Sequence, residues 1–231
     1  MTIQDRVGKY LQAGRNWFTR DVATIKVFSI HHDAIPQDTR TADQVMTQIY
    51  NGHKANGWPG ASYHYYIHRD GTVYQLNKHE WVTWVDGVNW DCIGIVLNGY
   101  FHSPHNNKPT SAQLASLKEL LNELSSNHPE FPADQSGVYG HRERAQTSCP
   151  GDTLFPFIKE YREKLGDVNW GSPAPTPPPQ PPINDQTIID LGPYGKLEVQ
   201  QIKGKMGDLA KAQLVNATLL SRLKEIHKIS S

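Results

Sequence analysis

The run GSPAPTPPPQPPIN at 171–184 constrains the architecture of this chain more than any other stretch. Seven of its fourteen residues are proline and none is charged. Proline lacks an amide hydrogen and locks φ, so such a run favours extended polyproline II and builds neither helix nor sheet. It reads as a semi-rigid spacer, and more than forty residues follow it. The expected organisation is a first domain over 1–170, a linker over 171–184 and a small C-terminal module over 185–231.

Composition then excludes several roles. Of the 231 residues, 23 are Lys or Arg and 23 are Asp or Glu, so the formal charge is zero. A protein built chiefly to grip nucleic acid or an anionic membrane needs a basic surplus, so neither is expected as a partner. The longest apolar runs, such as Cys92 to Leu97, are far too short for membrane insertion. The opening residues MTIQDRVGKYLQAGRN contain no signal-peptide pattern, which predicts a protein kept in the cytoplasm of the host that makes it, unless something else exports it. Two cysteines rule out a disulfide scaffold. Eleven histidines and six tryptophans direct attention to metal chemistry and to a flat, sugar-like or ring-bearing ligand.

Elements alternate within the first unit. Thr24 to Ile30 (TIKVFSI) reads as a buried strand. Thr41 and Gln44 form a capping box that opens a helix running to about Lys54. Tyr63 to His68 and Thr72 to Leu76 flank the hairpin signal Asp70-Gly71. Cys92 to Leu97 (CIGIVL) is another buried strand. Thr110 and Gln113 cap a second helix, along which Leu114, Leu117, Leu121 and Leu124 form one apolar stripe. Gly137 to Gly140 is strand-like, and Asp152 to Leu165 is helical with Pro156 near its start. The pattern predicts an α/β fold, a mixed central β-sheet flanked by helices. In the tail, Val199, Ile202, Met206, Leu209, Gln213, Asn216, Leu220, Leu223 and His227 thread a heptad. Three of these nine are polar, and Gly204 and Gly207 weaken the helix. The tail is expected to be mainly helical, serving either oligomerisation through 196–228 or targeting of the first domain to its substrate.

The chemistry starts at His31, where the first buried strand ends and a side chain can leave the core. His141 follows GVYG at another strand end, and Cys149 comes eight residues later. Two imidazoles and a thiolate make a good zinc set, and three protein ligands leave a fourth position open to water, the catalytic arrangement. Bound zinc lowers the pKa of its water to about 7 and polarises a carbonyl oxygen, and both effects serve amide hydrolysis. Singly, His31 could be an ordinary hydrogen-bonded histidine and Cys149 a buried thiol; Cys92, inside a strand, is expected to be inert core.

Four segments carry a resemblance. IHHDA at 30–34, GHKANGWPGASYHYYIHRDGTVYQ at 52–75, IGIVLNG at 93–99 and GHRERAQTSCPGD at 140–152 resemble the zinc N-acetylmuramoyl-L-alanine amidases of type 2. That group includes the small lysozymes of lytic bacteriophages (endolysins) and the peptidoglycan recognition proteins. The resemblance covers about Phe28 to Leu165, in the family's order. It implies the type 2 amidase fold, with His31 rather than His32, His141 and Cys149 as the Zn2+ ligands. Tyr63 matches the tyrosine whose hydroxyl points at the reacting water. Thr147 stands where phage enzymes often have lysine, and it offers a hydrogen bond in place of a full charge. Trp84, in VTWVDGVN, stands near a family histidine. It and Asn89 are expected to touch substrate, and His64 to sit behind the ligands or on the groove wall. Trp58, Trp81 and Trp90 are further groove candidates, with core packing as the commoner fate of such rings.

The implied activity is hydrolysis of the amide between N-acetylmuramic acid and the L-alanine of the stem peptide, with bacterial peptidoglycan, a muramyl peptide polymer, as partner. The alternative is a non-catalytic peptidoglycan-recognition module, which keeps the fold but lacks the thiolate. The presence of Cys149 argues for the enzyme.

Overall fold

The computed structural model describes residues 1–84, 89–127, 137–170, 188–190 and 196–198. Its centre is a six-stranded mixed sheet. The strands are β1 (Ile3–Asp5), β3 (Val27–His32), β4 (Tyr65–Ile67), β5 (Val73–Gln75), β7 (Cys92–Leu97) and β8 (Val138–Gly140). They lie in the order β1-β5-β4-β7-β3-β8. The β4–β5 hairpin is antiparallel, and the other four pairings are parallel. A separate antiparallel ribbon joins β2 (Phe18–Thr19) to β6 (Trp81–Val82). Both were too short to show in the sequence pattern.

The two central strands, β3 and β7, are buried at every residue. Parallel strands covered on both faces need such continuous apolar runs. On one face Phe28 and Ile30 pack with Ile93, Ile95 and the leucine stripe of helix α2 (Ser111–Asn127), together with Ile158 and Tyr161 of helix α3 (Phe155–Glu163). On the other face Tyr66 and Val96 pack with Val45, Met46 and Ile49 of helix α1 (Ala42–Ala55). The predicted mixed sheet with flanking helices is therefore the observed fold. Helix α3 begins later than expected because Asp152 to Leu154 form a turn; Pro156 sits in its first turn, where no amide hydrogen is required.

Both predicted capping boxes form. Gln44 N donates to Thr41 Oγ1 (3.3 Å) and Thr41 N to Gln44 Oε1 (2.8 Å). The Gln113 side chain goes further. Its Oε1 accepts Thr110 N (3.1 Å), while its Nε2 donates to the carbonyls of Asn98 (2.9 Å) and Ile67 (3.3 Å). One capping residue thus ties the start of α2 to the ends of β7 and β4. At the hairpin, Gly71 takes φ +87° and its Cα faces Ala112 O, where a Cβ would lie 2.9 Å away. The Asp-Gly turn thus meets both a left-handed backbone and a close approach.

The chain divides into two compact units, Met1–Thr176 and Pro177–Ser231. In the second, the described residues are a two-stranded antiparallel hairpin, β9 (Ile188–Asp190) with β10 (Lys196–Glu198), registering Ile189 against Leu197. At 188–190 and 196–198 the chain is strand, and Ile188 and Ile189 favour that form. The heptad positions from Val199 onward lie outside the described residues. Among the described residues, no helix is long and apolar enough to cross a membrane.

Candidate metal centre

The sheet register places the centre. Ile30 pairs with Gly140 across the parallel β3–β8 ladder. The next residue on each strand is His31 and His141, so two distant histidines emerge side by side at the same sheet end. Their ring centroids are 4.5 Å apart. His141 begins a 3-10 turn (His141–Glu143), and Gly140 N donates to Glu143 Oε2 (2.9 Å).

Cys149 is returned to this point by the following loop. Arg142 N donates to Cys149 O (2.8 Å), and Cys149 N donates to Thr147 Oγ1 (3.2 Å). The amide of His32 approaches Cys149 Sγ at 3.4 Å, and Sγ lies 3.7 Å from His31 Nδ1. One ligand atom from each of His31, His141 and Cys149 falls within 4.8 Å of the others, the only such cluster among the described residues.

This donor set fits zinc. Bonds of about 2.3 Å to sulfur and 2.05 Å to nitrogen, meeting at a tetrahedral angle, place S and N about 3.6 Å apart. The observed 3.7 Å matches. His31 is 1 % exposed, and its Nε2 is buried without a partner in the protein. Burial, then the neighbouring His141, His32, Arg144 and His53, hold its pKa well below the usual histidine value. Its imidazole is therefore neutral at physiological pH, the form a metal requires.

Tyr63 leans over the same spot, its ring centroid 5.4 Å from that of His31. Burial first, then Cys149 and Asp33, raise its pKa well above 10. It is a protonated phenol and a hydrogen-bond donor rather than a base. Thr147 is exposed, and its oxygen accepts the Cys149 amide. Its hydroxyl hydrogen is thus directed elsewhere.

His64 lies away from any groove. It is fully buried, its Nδ1 accepts Gly94 N (3.1 Å), and its Nε2 lies 2.9 Å from Trp81 O. Because Nδ1 accepts, the proton sits on Nε2 and Nε2–H donates to Trp81 O. Both nitrogens are spent holding β7 and the β6 segment together, so the groove-wall expectation gives way to packing. Trp84 is half-buried, its ring 6.0 Å from Trp17 and 6.2 Å from Phe18. Asn89 lies in a 3-10 turn, and its carbonyl accepts Arg20 Nη1 (3.0 Å). Neither belongs to the His31–His141–Cys149 cluster.

Asp33, His53 and Arg144 also stand beside the centre, and sequence reasoning missed all three. Asp33, half-buried, accepts from Gly99 N (3.0 Å), Ile35 N (2.9 Å) and Asn98 Nδ2 (2.9 Å), clasping the ends of β3 and β7. Burial raises its pKa to about 7. The His53 ring lies 5.5 Å from Tyr63, and Ser62 N donates to its Nδ1 (3.0 Å). Arg144 Nη2 pairs with Asp91 Oδ1 at 2.6 Å. Each arrives from a different element, so no spacing along the chain announces it.

Residues 21–152 match the family model of N-acetylmuramoyl-L-alanine amidases. The chain belongs to this amidase family. Among its relatives are the endolysin of Klebsiella phage KP32, 30% identical over 140 residues (59% of this chain, 87% of that protein), and peptidoglycan-recognition protein SC2 of Drosophila simulans, 33% identical over 140 residues (57% and 71%). A solved amidase, LysC from Clostridium intestinale, superposes with a TM-score of 0.54 at 27% identity, covering 71% of this chain and 97% of that one. The matched region contains His31, His141 and Cys149, the cluster with ligand atoms close enough to hold one metal ion.

Proposed function

We propose that this chain is a zinc-dependent peptidoglycan hydrolase that cleaves the amide between N-acetylmuramic acid and the L-alanine of the stem peptide. The observation that carries the reading is the convergence of His31, His141 and Cys149 at zinc-compatible spacing. Its likeness to proteins named endolysins supports a lytic role, with synthesis in an infected bacterium's cytoplasm and action on the wall after release.

His31, His141 and Cys149 would hold the ion. When bound, zinc supplies an acidic water and a Lewis acid for the amide carbonyl. The protein's own part is positioning. Burial keeps His31 neutral, so it is ready to ligate without losing a proton. The Tyr63 phenol donates a hydrogen bond that orients the attacking water. A group held protonated this firmly is unsuited to accept the water's proton. The Thr147 hydroxyl, its oxygen engaged by Cys149 N, turns its hydrogen toward the developing oxyanion. A module that only recognises peptidoglycan would have no use for the thiolate.

Mass spectrometry of peptidoglycan digested by the zinc-loaded protein tests the reading. Free stem peptides beginning with L-alanine, and glycan strands with intact lactyl groups, are expected. Cut glycosidic bonds, cut peptide cross-links or undigested walls would refute it.

A further inference from the structure

Beside the metal centre the structure carries a surface that the proposed chemistry does not use. Phe18 on β2 and Trp90 are 61 % and 55 % exposed, the largest exposures of any aromatic residue among those described. Their rings stack at 27° with centroids 6.4 Å apart, and Trp84 continues the row at 33° and 6.2 Å from Phe18. Trp84, Phe18 and Trp90 therefore form one row of neighbouring rings.

The stripe is held rigid from beneath. Trp17, 5 % exposed, meets Trp84 edge-on and anchors itself by donating Nε1–H to Asn77 Oδ1 (2.9 Å). Phe18 is fixed by its pairing with Val82. Arg20, buried, spends its guanidinium on the carbonyls of His79 (3.0 Å), Asn89 (3.0 Å) and Trp90 (3.1 Å). The bordering Asp91 is neutralised by Arg144.

That last ion pair also joins the stripe to the centre. Arg144 caps the 3-10 turn that begins at ligand His141, donating its amide to His141 O (2.9 Å), and Asp91 follows Trp90 directly. The aromatic row and the turn that carries His141 are thus joined by one side-chain ion pair.

We infer that the Phe18–Trp84–Trp90 stripe is a subsite for the glycan strand, stacking the face of a β-1,4-linked N-acetylhexosamine next to the muramyl unit whose amide is cut. This rests on the proposed amidase reading for its place in the substrate. A pyranose ring offers a flat C–H face to aromatic carbons and keeps its hydroxyls at the rim. A bordering carboxylate already neutralised suits an uncharged ligand better than an anionic membrane. Three partly exposed rings offer roughly 300 Å². A stable protein partner requires about 800 Å² per side, so the stripe is too small for one and adequate for one or two sugars.

Calorimetric titration of the full chain with a tetramer of β-1,4-linked N-acetylglucosamine tests the inference. The probe has no scissile amide, so the result stands whether or not the protein is an amidase. Wild type should bind, and Phe18→Ala and Trp90→Ala should each weaken binding by about fivefold to tenfold. Phe18→Trp and Trp90→Phe, which keep a flat ring, should restore most of it. Both sites are exposed, so melting temperatures should stay at the wild-type value. No binding by wild type, or equal binding by both alanine variants, would overturn the subsite. So would a fall in the mass measured by light scattering in the alanine variants without any loss of sugar binding, which would make the stripe a contact between copies.

Discussion

At the scale of single residues, the centre depends on atoms that cannot be exchanged for near neighbours. Cys149 supplies a soft anionic sulfur that a serine hydroxyl does not replace. Cys149→Ser is expected to lower zinc affinity more than about 100-fold. Metal analysis after dialysis against a weak chelator checks this, and equal zinc in both proteins would remove Cys149 from the ligand set. In the proposed reaction Tyr63 acts through its hydroxyl, and its ring lies beside that of His31 without belonging to the ligand cluster. Tyr63→Phe should therefore keep full zinc content while kcat on peptidoglycan falls about 100-fold. Loss of zinc in that variant would instead assign Tyr63 a structural part in the ligand cage. His64 teaches the opposite lesson: it stands next to Tyr63 in the chain, yet its buried ring turns toward β7 and β6, where both its nitrogens serve the backbone.

At the scale of elements, Gln113 links local and tertiary structure. Its capping role follows from sequence spacing, whereas its hold on the Asn98 and Ile67 carbonyls follows only from where α2 docks. Gln113→Ala removes one of two donors from the Asn98 and Ile67 carbonyls, which keep Gln37 Nε2 and Asn98 N, and takes the acceptor from Thr110 N and Gln37 Nε2, all at a fully buried side chain. A loss of about 2–4 kcal/mol in unfolding free energy is expected, well above the cost of a cap alone. Urea denaturation measures it, and a loss below about 1 kcal/mol would show that the remaining donors suffice at the strand ends. The hairpin signal, both capping boxes, the leucine stripe and the strand Cys92–Leu97 were all legible because each is a short-range pattern. The ribbon β2–β6 was not, because two-residue strands have no period to detect.

At the scale of the whole molecule, buried histidines set the response to acid. Burial lowers His32 and His53 to about 4, and holds His31 and His64 well below 6.5. These rings are neutral in the fold, whereas in the unfolded chain they protonate near 6.5. Stability is therefore lost as pH falls through 6.5 toward 4. Asp33 works in the opposite sense. Its pKa, raised to about 7 from 3.8, gives stability that is full below 3.8 and lost as pH rises through 7, so it offsets one histidine in the window. The metal-free protein should lose about 1.4 kcal/mol per pH unit for each net proton taken up on unfolding. Melting temperatures between pH 7 and 4.5 check the sign, and a flat or rising profile on acidification would contradict it. For the second unit, the heptad beyond residue 198 predicts self-association. Light scattering should give a dimer mass for the full chain and a monomer mass after removal of Asp185 to Ser231. The same monomer mass in both would leave wall targeting as the role of the tail.

The sequence by itself determined the longer strands and helices and pointed to His31, His141 and Cys149 as candidate ligands. Those depend on periodicity, caps and residue chemistry, all of which are written locally. Which histidine stands beside which, and what surrounds them, was decided only when the β3–β8 register set Ile30 against Gly140 and so brought His31 to His141. The clasp at Asp33 and the aromatic row from Phe18 to Trp90 are likewise products of docking. Such contacts join residues more than sixty positions apart, and no local pattern encodes a distance that only chain packing can close.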